Sequence, residues 1–266
     1  MPTLSRGDGE LYYECHGSGV PLLLIAGLAS DSQSWLPIID DLAPRFHVIA
    51  VDNRGVGRTT AHAVPLSIRA MADDCAALLD HLQLASAHVV GHSMGGFVAQ
   101  EMALRYPQKI DALILAATSS TSSRRNNALF HDWADALDNG ADMRAWFRNL
   151  FYWIFSARFF DDEKAVDESV RLAIAYPYPQ SAQSFRLQAD ALAAFDSTRE
   201  LSNVRARTLV IAGKADLLFP LELCSAFADR IPGSSFATIE GAAHSIHMQY
   251  PDLFVERVVD FLVSVR

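Results

Sequence analysis

Ser93 stands in the stretch Gly91-His92-Ser93-Met94-Gly95-Gly96, where the apolar run Ala87-His88-Val89-Val90 gives out. A serine hydroxyl is a weak nucleophile until a base takes its proton, and that base needs a carboxylate to fix its tautomer. His244, in Glu240-Gly241-Ala242-Ala243-His244, and Asp216, in Gly213-Lys214-Ala215-Asp216-Leu217-Leu218-Phe219-Pro220, have the surroundings such partners require. Each follows a short apolar segment, and the chain order serine, acid, histidine is one known for side chains gathered at strand ends. Joined, the three would let the Ser93 hydroxyl attack a carbonyl carbon and pass an acyl group through a covalent intermediate. His247, three residues beyond His244, is the second choice for the base. His92 adjoins the serine, but a tight turn is expected to point its side chain elsewhere. His16, His47, His62, His81, His88 and His131 read as surface or packing residues.

The turn itself makes demands. A serine held between an apolar strand and the helix-forming run that starts at Phe97 needs small neighbours, so Gly91 and Gly95 are expected to sit where side chains would collide. The same turn brings the hydroxyl to a helix N-terminus, where free N–H groups favour developing negative charge. An oxyanion needs two donors. The Met94 N–H, after the serine, is placed to be one; the Leu28 N–H, in Gly27-Leu28-Ala29-Ser30 after another apolar run, is the candidate for the second. Asp52-Asn53-Arg54-Gly55-Val56-Gly57-Arg58 resembles a dinucleotide loop, but it lacks the third glycine and no helix opens there, so no cofactor is expected. The three cysteines, Cys15, Cys75 and Cys224, have no metal-ligand spacing, and no metal is expected either.

The elements that must position these residues are legible as an alternation. Val20 to Ala26, Val48 to Val51, His88 to Gly91, Ala112 to Ala116 and Thr208 to Ala212 are apolar without polar alternation, the mark of strands buried on both faces in a parallel sheet. Leu11 to Cys15 alternates and suits an antiparallel edge strand. Between the strands, Ile68, Met71, Ala72, Cys75, Leu78, Leu79 and Leu82 keep one helical stripe, as do Phe254, Val258, Phe261 and Val265 near the end. A doubly wound α/β sheet follows, with ligands at the carboxyl ends of its strands. Residues 118–199 break the rhythm with helical patterns and more than half of the chain's aromatic residues. We expect a helical cap there, set over a core made of 1–117 and 200–266.

Size and charge bound the rest. The 266 residues carry a formal net charge of −9 and no basic run, which argues against a nucleic-acid partner. No apolar stretch reaches the roughly 20 residues of a membrane span. Unpaired cysteines and a start without an apolar leader suit a cytoplasmic protein. Self-association into a homo-oligomer is left open.

Taken together, these motifs resemble the α/β-hydrolase superfamily over nearly the whole chain. GHSMGG is similar to its nucleophile elbow, DNRGVGR to its loop after the fourth strand, and GKADLLFP with GAAHSIH to its acid and histidine loops. AGLASDSQSW resembles the 3-oxoadipate enol-lactonases, the aminoacrylate hydrolases and the proteins labelled non-haem bromoperoxidases. The resemblance implies Ser93, Asp216 and His244 as triad and Leu28 and Met94 as oxyanion amides. Two departures stand out: Ala26-Gly27 replaces the usual His-Gly, and Thr59 replaces the usual serine after D-x-R-G-x-G-x. A serine at 93 disfavours the aspartate-nucleophile dehalogenases and epoxide hydrolases, and Ser245 stands where hydroxynitrile lyases usually carry lysine. A small apolar ester or lactone is the expected substrate. Arg124, Arg125, Arg144, Arg148, Arg158 and Arg186 of the cap are candidates to hold a substrate carboxylate, as an enol-lactone of a dicarboxylic acid would need. Hydrolysis of a diketone carbon–carbon bond by the same triad, perhydrolysis as a side reaction, and a ligand receptor on the same fold are the alternatives.

Overall fold

In every central strand, successive side chains turn to opposite faces of one sheet, and both faces are covered. The computed structural model describes residues 2–7, 9–60 and 66–264; His62 and Val265 lie outside them. In chain order the elements are β1 (Thr3–Arg6), β2 (Gly9–His16), β3 (Val20–Ile25), α1 (Leu36–Leu42), β4 (Phe46–Val51), α2 (Ile68–His81), β5 (Ala87–His92), α3 (Met94–Arg105) and β6 (Ile110–Ala116). Then come α4 (Arg124–Asp138), α5 (Met143–Ile154), α6 (Glu163–Ile174), α7 (Ala182–Ala194), β7 (Arg207–Gly213), α8 (Leu221–Ala228), β8 (Ser235–Ile239), α9 (Ile246–Gln249) and α10 (Pro251–Val263).

The strands form one eight-stranded sheet in the order β1-β2-β4-β3-β5-β6-β7-β8. All neighbours from β4 to β8 pair in parallel; β1 and β2 are antiparallel. Leu23, Ile25, Ile49, Val51, Val89, Leu113, Leu115 and Val210 face one core with α2, α3 and α8. Their alternate neighbours, Leu22, Leu24, Val48, Ala50, Val90, Ile114, Leu209 and Ile211, face a second core with α1 and α10. That is why these runs show no polar alternation. The expectation for Leu11 to Cys15 needs correction: the segment is antiparallel, but it is not the edge. Thr3–Arg6 turns back at Gly7 and pairs with it, Leu4 opposite Leu11, so β1 takes the outer place.

The chain goes from β3 outward to β4, then crosses back to β5. Helix α1 packs on one face and α2 on the other. The loops after β3 and β5 therefore diverge around a crevice, the switch point at which doubly wound sheets bind ligands. Four helices, α4 to α7, intervene between β6 and β7. Each starts at a polar residue whose side chain accepts a backbone N–H three positions on: Ser123, Asp142, Asp162 and Ser181. Among the described residues no helix is long and apolar enough to cross a membrane.

Candidate active site

Strand β5 runs straight into α3, and Ser93 is the single residue between them. Its backbone sits at φ 55°, ψ −119°, outside the comfortable regions for a side-chain-bearing residue. The local packing explains the glycines. A Cβ at Gly91 would come within 2.3 Å of the Gly95 carbonyl oxygen, and one at Gly95 within 2.0 Å of the Ile25 carbonyl oxygen. The turn can close only where those side chains are absent. The Ser93 N–H donates to the Ala116 carbonyl at 2.9 Å and the Thr118 hydroxyl donates to the Ser93 carbonyl at 2.9 Å, so the bend is held from β6 as well.

The acid and histidine loops are built against each other. Past the ends of β7 and β8, the Ala215 N–H donates to the Ala242 carbonyl at 2.8 Å. Gly213 permits that approach: a Cβ there would lie 2.4 Å from the Ala243 carbonyl oxygen. Asp216 and His244 are both 4 % exposed, and the His244 Nδ1–H donates to Asp216 Oδ2 at 3.0 Å. The other carboxylate oxygen, Oδ1, accepts the Leu218 and Phe219 N–H groups at 2.8 and 2.9 Å. Every side of that carboxylate is engaged, so it keeps one orientation. Binding Nδ1 leaves the opposite ring nitrogen, Nε2, as the one free to act as a base.

Ser93 and His244 line one cavity of about 60 Å³, together with Gly27, Leu28, Ala29 and Ser30 from the loop after β3. No hydrogen bond joins the serine hydroxyl to the imidazole among the described residues, a looseness usual before substrate binds. Met94 opens α3, and neither its N–H nor that of Leu28 donates to another described residue. Ala29, like Ser93, has a positive φ, 58°, so backbone strain sits on both sides of this space.

His92 departs from the expectation. Its ring does not leave the site: it lines the same cavity, packs 4.9 Å from the His244 ring, and its Nε2–H donates to the His244 carbonyl at 2.8 Å. Burial, with His247 and His244 close by, pushes its pKa well below the usual histidine range. His247 lies in the first turn of α9, buried against Trp35 at 4.4 Å, and burial lowers its pKa to about 3. It does not line the cavity and stays a neutral packing group.

Helices α4, α5 and α7 line the rest of the cavity with Phe130, Trp133, Leu150, Ile154 and Phe185, while Leu218 comes from the loop after β7. None of the six candidate arginines is there. Arg144 and Arg148 pair with Asp167, Arg186 with Asp135 and Asp138, and Arg125 reaches the Leu217 carbonyl. An arginine gripping a substrate carboxylate is therefore not what the cavity offers: three of the six pair with acids on neighbouring helices instead. The cluster Phe151, Phe155 and Phe159 packs on itself, with centroids 4.3 to 6.0 Å apart. These helices are tied to the loops after β3, β4, β7 and β8. Gln188 on α7 accepts the Ala29 N–H and donates to the Arg54 carbonyl at 2.7 Å. Asn126 donates to the Leu218 carbonyl at 2.7 Å, and Ser245 N–H to the Ile154 carbonyl at 2.9 Å.

The Asp52-to-Arg58 loop is filled by the chain's own charges. Asp52 accepts the Ser32 and Arg58 N–H groups at 2.9 and 2.8 Å, and Arg54 pairs with buried Asp74. Thr59, the departure noted above, accepts the Tyr12 N–H at 3.0 Å and donates to the Asp52 carbonyl at 2.6 Å, a structural role.

Comparison with known proteins agrees with this architecture. The family model described as the alpha/beta hydrolase fold matches residues 20–251. A putative carbamate hydrolase from Azorhizobium caulinodans is 32 % identical over 261 residues, covering 98 % of both chains. A putative non-heme bromoperoxidase from Mycobacterium tuberculosis is 29 % identical, covering 97 % of this chain and 99 % of that one. Among solved structures, the enol-lactonase from Burkholderia xenovorans superposes with a TM-score of 0.88 at 25 % identity, covering 98 % of this chain and 99 % of that one.

Proposed function

The chain belongs to the alpha/beta hydrolase fold family, and from that premise we propose that it is a serine hydrolase of small, neutral esters or lactones. The observation that carries this is the meeting of Ser93, the Asp216-held His244 and the Leu28 backbone around one uncharged cavity, with the Met94 N–H next in the chain after Ser93. In the proposed reaction His244 Nε2 takes the Ser93 proton as the oxygen attacks the carbonyl carbon. The Met94 and Leu28 amides hold the oxyanion, with the α3 N-terminus adding its dipole. His244 then hands the proton to the leaving oxygen, and a water attacks the acyl-enzyme by the same route in reverse. Residues 118–199 serve as the lid that keeps bulk water out.

The lining favours neutral substrates over anionic ones. Apart from the candidate catalytic groups, Ser30, Ser245 and His92, it is apolar, with no lysine or arginine. A substrate bearing a free carboxylate, or an unesterified carbamate, is an anion and would enter without a partner, at a cost of several kcal/mol. Neutral esters and lactones avoid that cost. The test is turnover of a short-chain aryl ester by Ser93→Ala. A fall of at least about 10³-fold in kcat is expected; wild-type turnover in the variant would remove the nucleophile assignment.

A further inference from the structure

The Ser93 cavity, at about 60 Å³, lies far below the roughly 300–1,000 Å³ typical of ligand pockets. A second cleft of about 390 Å³ lies between α4 and α5. Trp133 is common to the linings of both spaces. Resting on the reading of Ser93 as an acyl-transfer nucleophile, we propose that Trp133 sets the upper size of the acyl group by closing the Ser93 cavity against the α4–α5 cleft.

The indole is held as a partition. It is 5 % exposed, and its Nε1–H donates to Asn149 Oδ1 at 2.6 Å, a bond from α4 to α5 between two residues that line the cleft. Trp146, one turn earlier on α5, donates its own Nε1–H to the Trp133 carbonyl at 3.1 Å and packs edge-on at 6.4 Å. A buried indole N–H with a satisfied partner resists rotation, because turning away would strand the N–H. Beyond it, Leu129, Ala136, Ala141 and Ala145 give the cleft an apolar lining of mostly small side chains. Asp132 and Asp142 stand at its exposed margin and disfavour an anionic tail. The occupant that this space fits, once the partition is removed, is the neutral alkyl chain of a medium-length acyl group whose carbonyl sits at Ser93. With the indole in place, only the first few carbons have room.

The experiment compares hydrolysis of p-nitrophenyl acetate, butyrate, hexanoate and octanoate by the wild type, Trp133→Ala, Trp133→Phe and Asn149→Leu. Active sites in each preparation are counted by titration with a serine-reactive phosphonate, so unfolded protein drops out of the comparison. The octanoate-to-acetate ratio of kcat/KM should rise at least about tenfold in Trp133→Ala, the scale on which hydrophobic pockets discriminate by size. Trp133→Phe and Asn149→Leu should move the same way by less. A ratio in Trp133→Ala within about twofold of wild type overturns the proposal; if that variant does not fold, an unchanged ratio in Trp133→Phe does so. Wild-type protein that the phosphonate leaves unlabelled would instead overturn the underlying serine mechanism, so the two failures are separable.

Discussion

Asp216 accepts three N–H groups, two from its own loop and one from His244, and this over-determination is what a tautomer-fixing carboxylate needs. An amide in its place would keep the shape while losing the charge that favours the imidazolium. Asp216→Asn is therefore expected to lower kcat by about 10³- to 10⁴-fold with a much smaller change in KM, measured on an aryl ester. At this scale the sequence was informative for Ser93, Asp216 and His244, because each sits in a loop whose flanking apolar run announces a strand end. For His92 the expectation of a side chain turned away was wrong. Whether a ring beside the elbow leaves the site or folds under the neighbouring histidine depends on contacts 152 positions apart, with no local signature.

The parallel strands were legible at the level of elements because burial on two faces leaves uninterrupted apolar runs, whereas β1 was not. It has four residues, alternately exposed and half-buried, and exists only because β2 offers it an open edge. The attachment of α7 to the loops of the sheet was equally hidden: Gln188, fully buried, looks like any glutamine on a helix until its partners are seen. It pairs with the loop that holds Leu28, so its effect should reach the chemistry. Gln188→Leu leaves the Arg54 carbonyl and the Ala29 N–H without that partner, and should lower stability to urea by about 1–3 kcal/mol. Its kcat should fall more than its KM rises, since the loop behind the oxyanion amide is loosened. A variant with reduced stability and unaltered kcat would show that this tie has no bearing on the site.

For the molecule as a whole, one sheet with two covered faces gathers a set of buried polar groups at its carboxyl edge, His92, Ser93, Asp216, His244 and His247 among them. Two of these, His92 and His247, stay neutral in the folded chain and have pKa values below 6.5. The unfolded chain binds protons on both as pH falls through that value, the folded chain does not, and stability must therefore decline on acidification. Each histidine contributes a slope of about 1.4 kcal/mol per pH unit below about pH 6. His247→Phe, placed among Trp35 and Phe254, should flatten the fall of unfolding free energy between pH 6 and 5 by about that amount. An identical slope in variant and wild type would mean that His247 titrates alike in both states.

The most direct measurement of the central claim is the mass of the chain after reaction with a serine-reactive phosphonate, with the modified peptide sequenced and the rate compared with that of His244→Ala. One adduct per chain is expected, carried by the peptide that contains Ser93, with a labelling rate lowered at least about 10³-fold when the imidazole is removed. An adduct on another serine, or His244→Ala labelling as fast as the wild type, would contradict that claim.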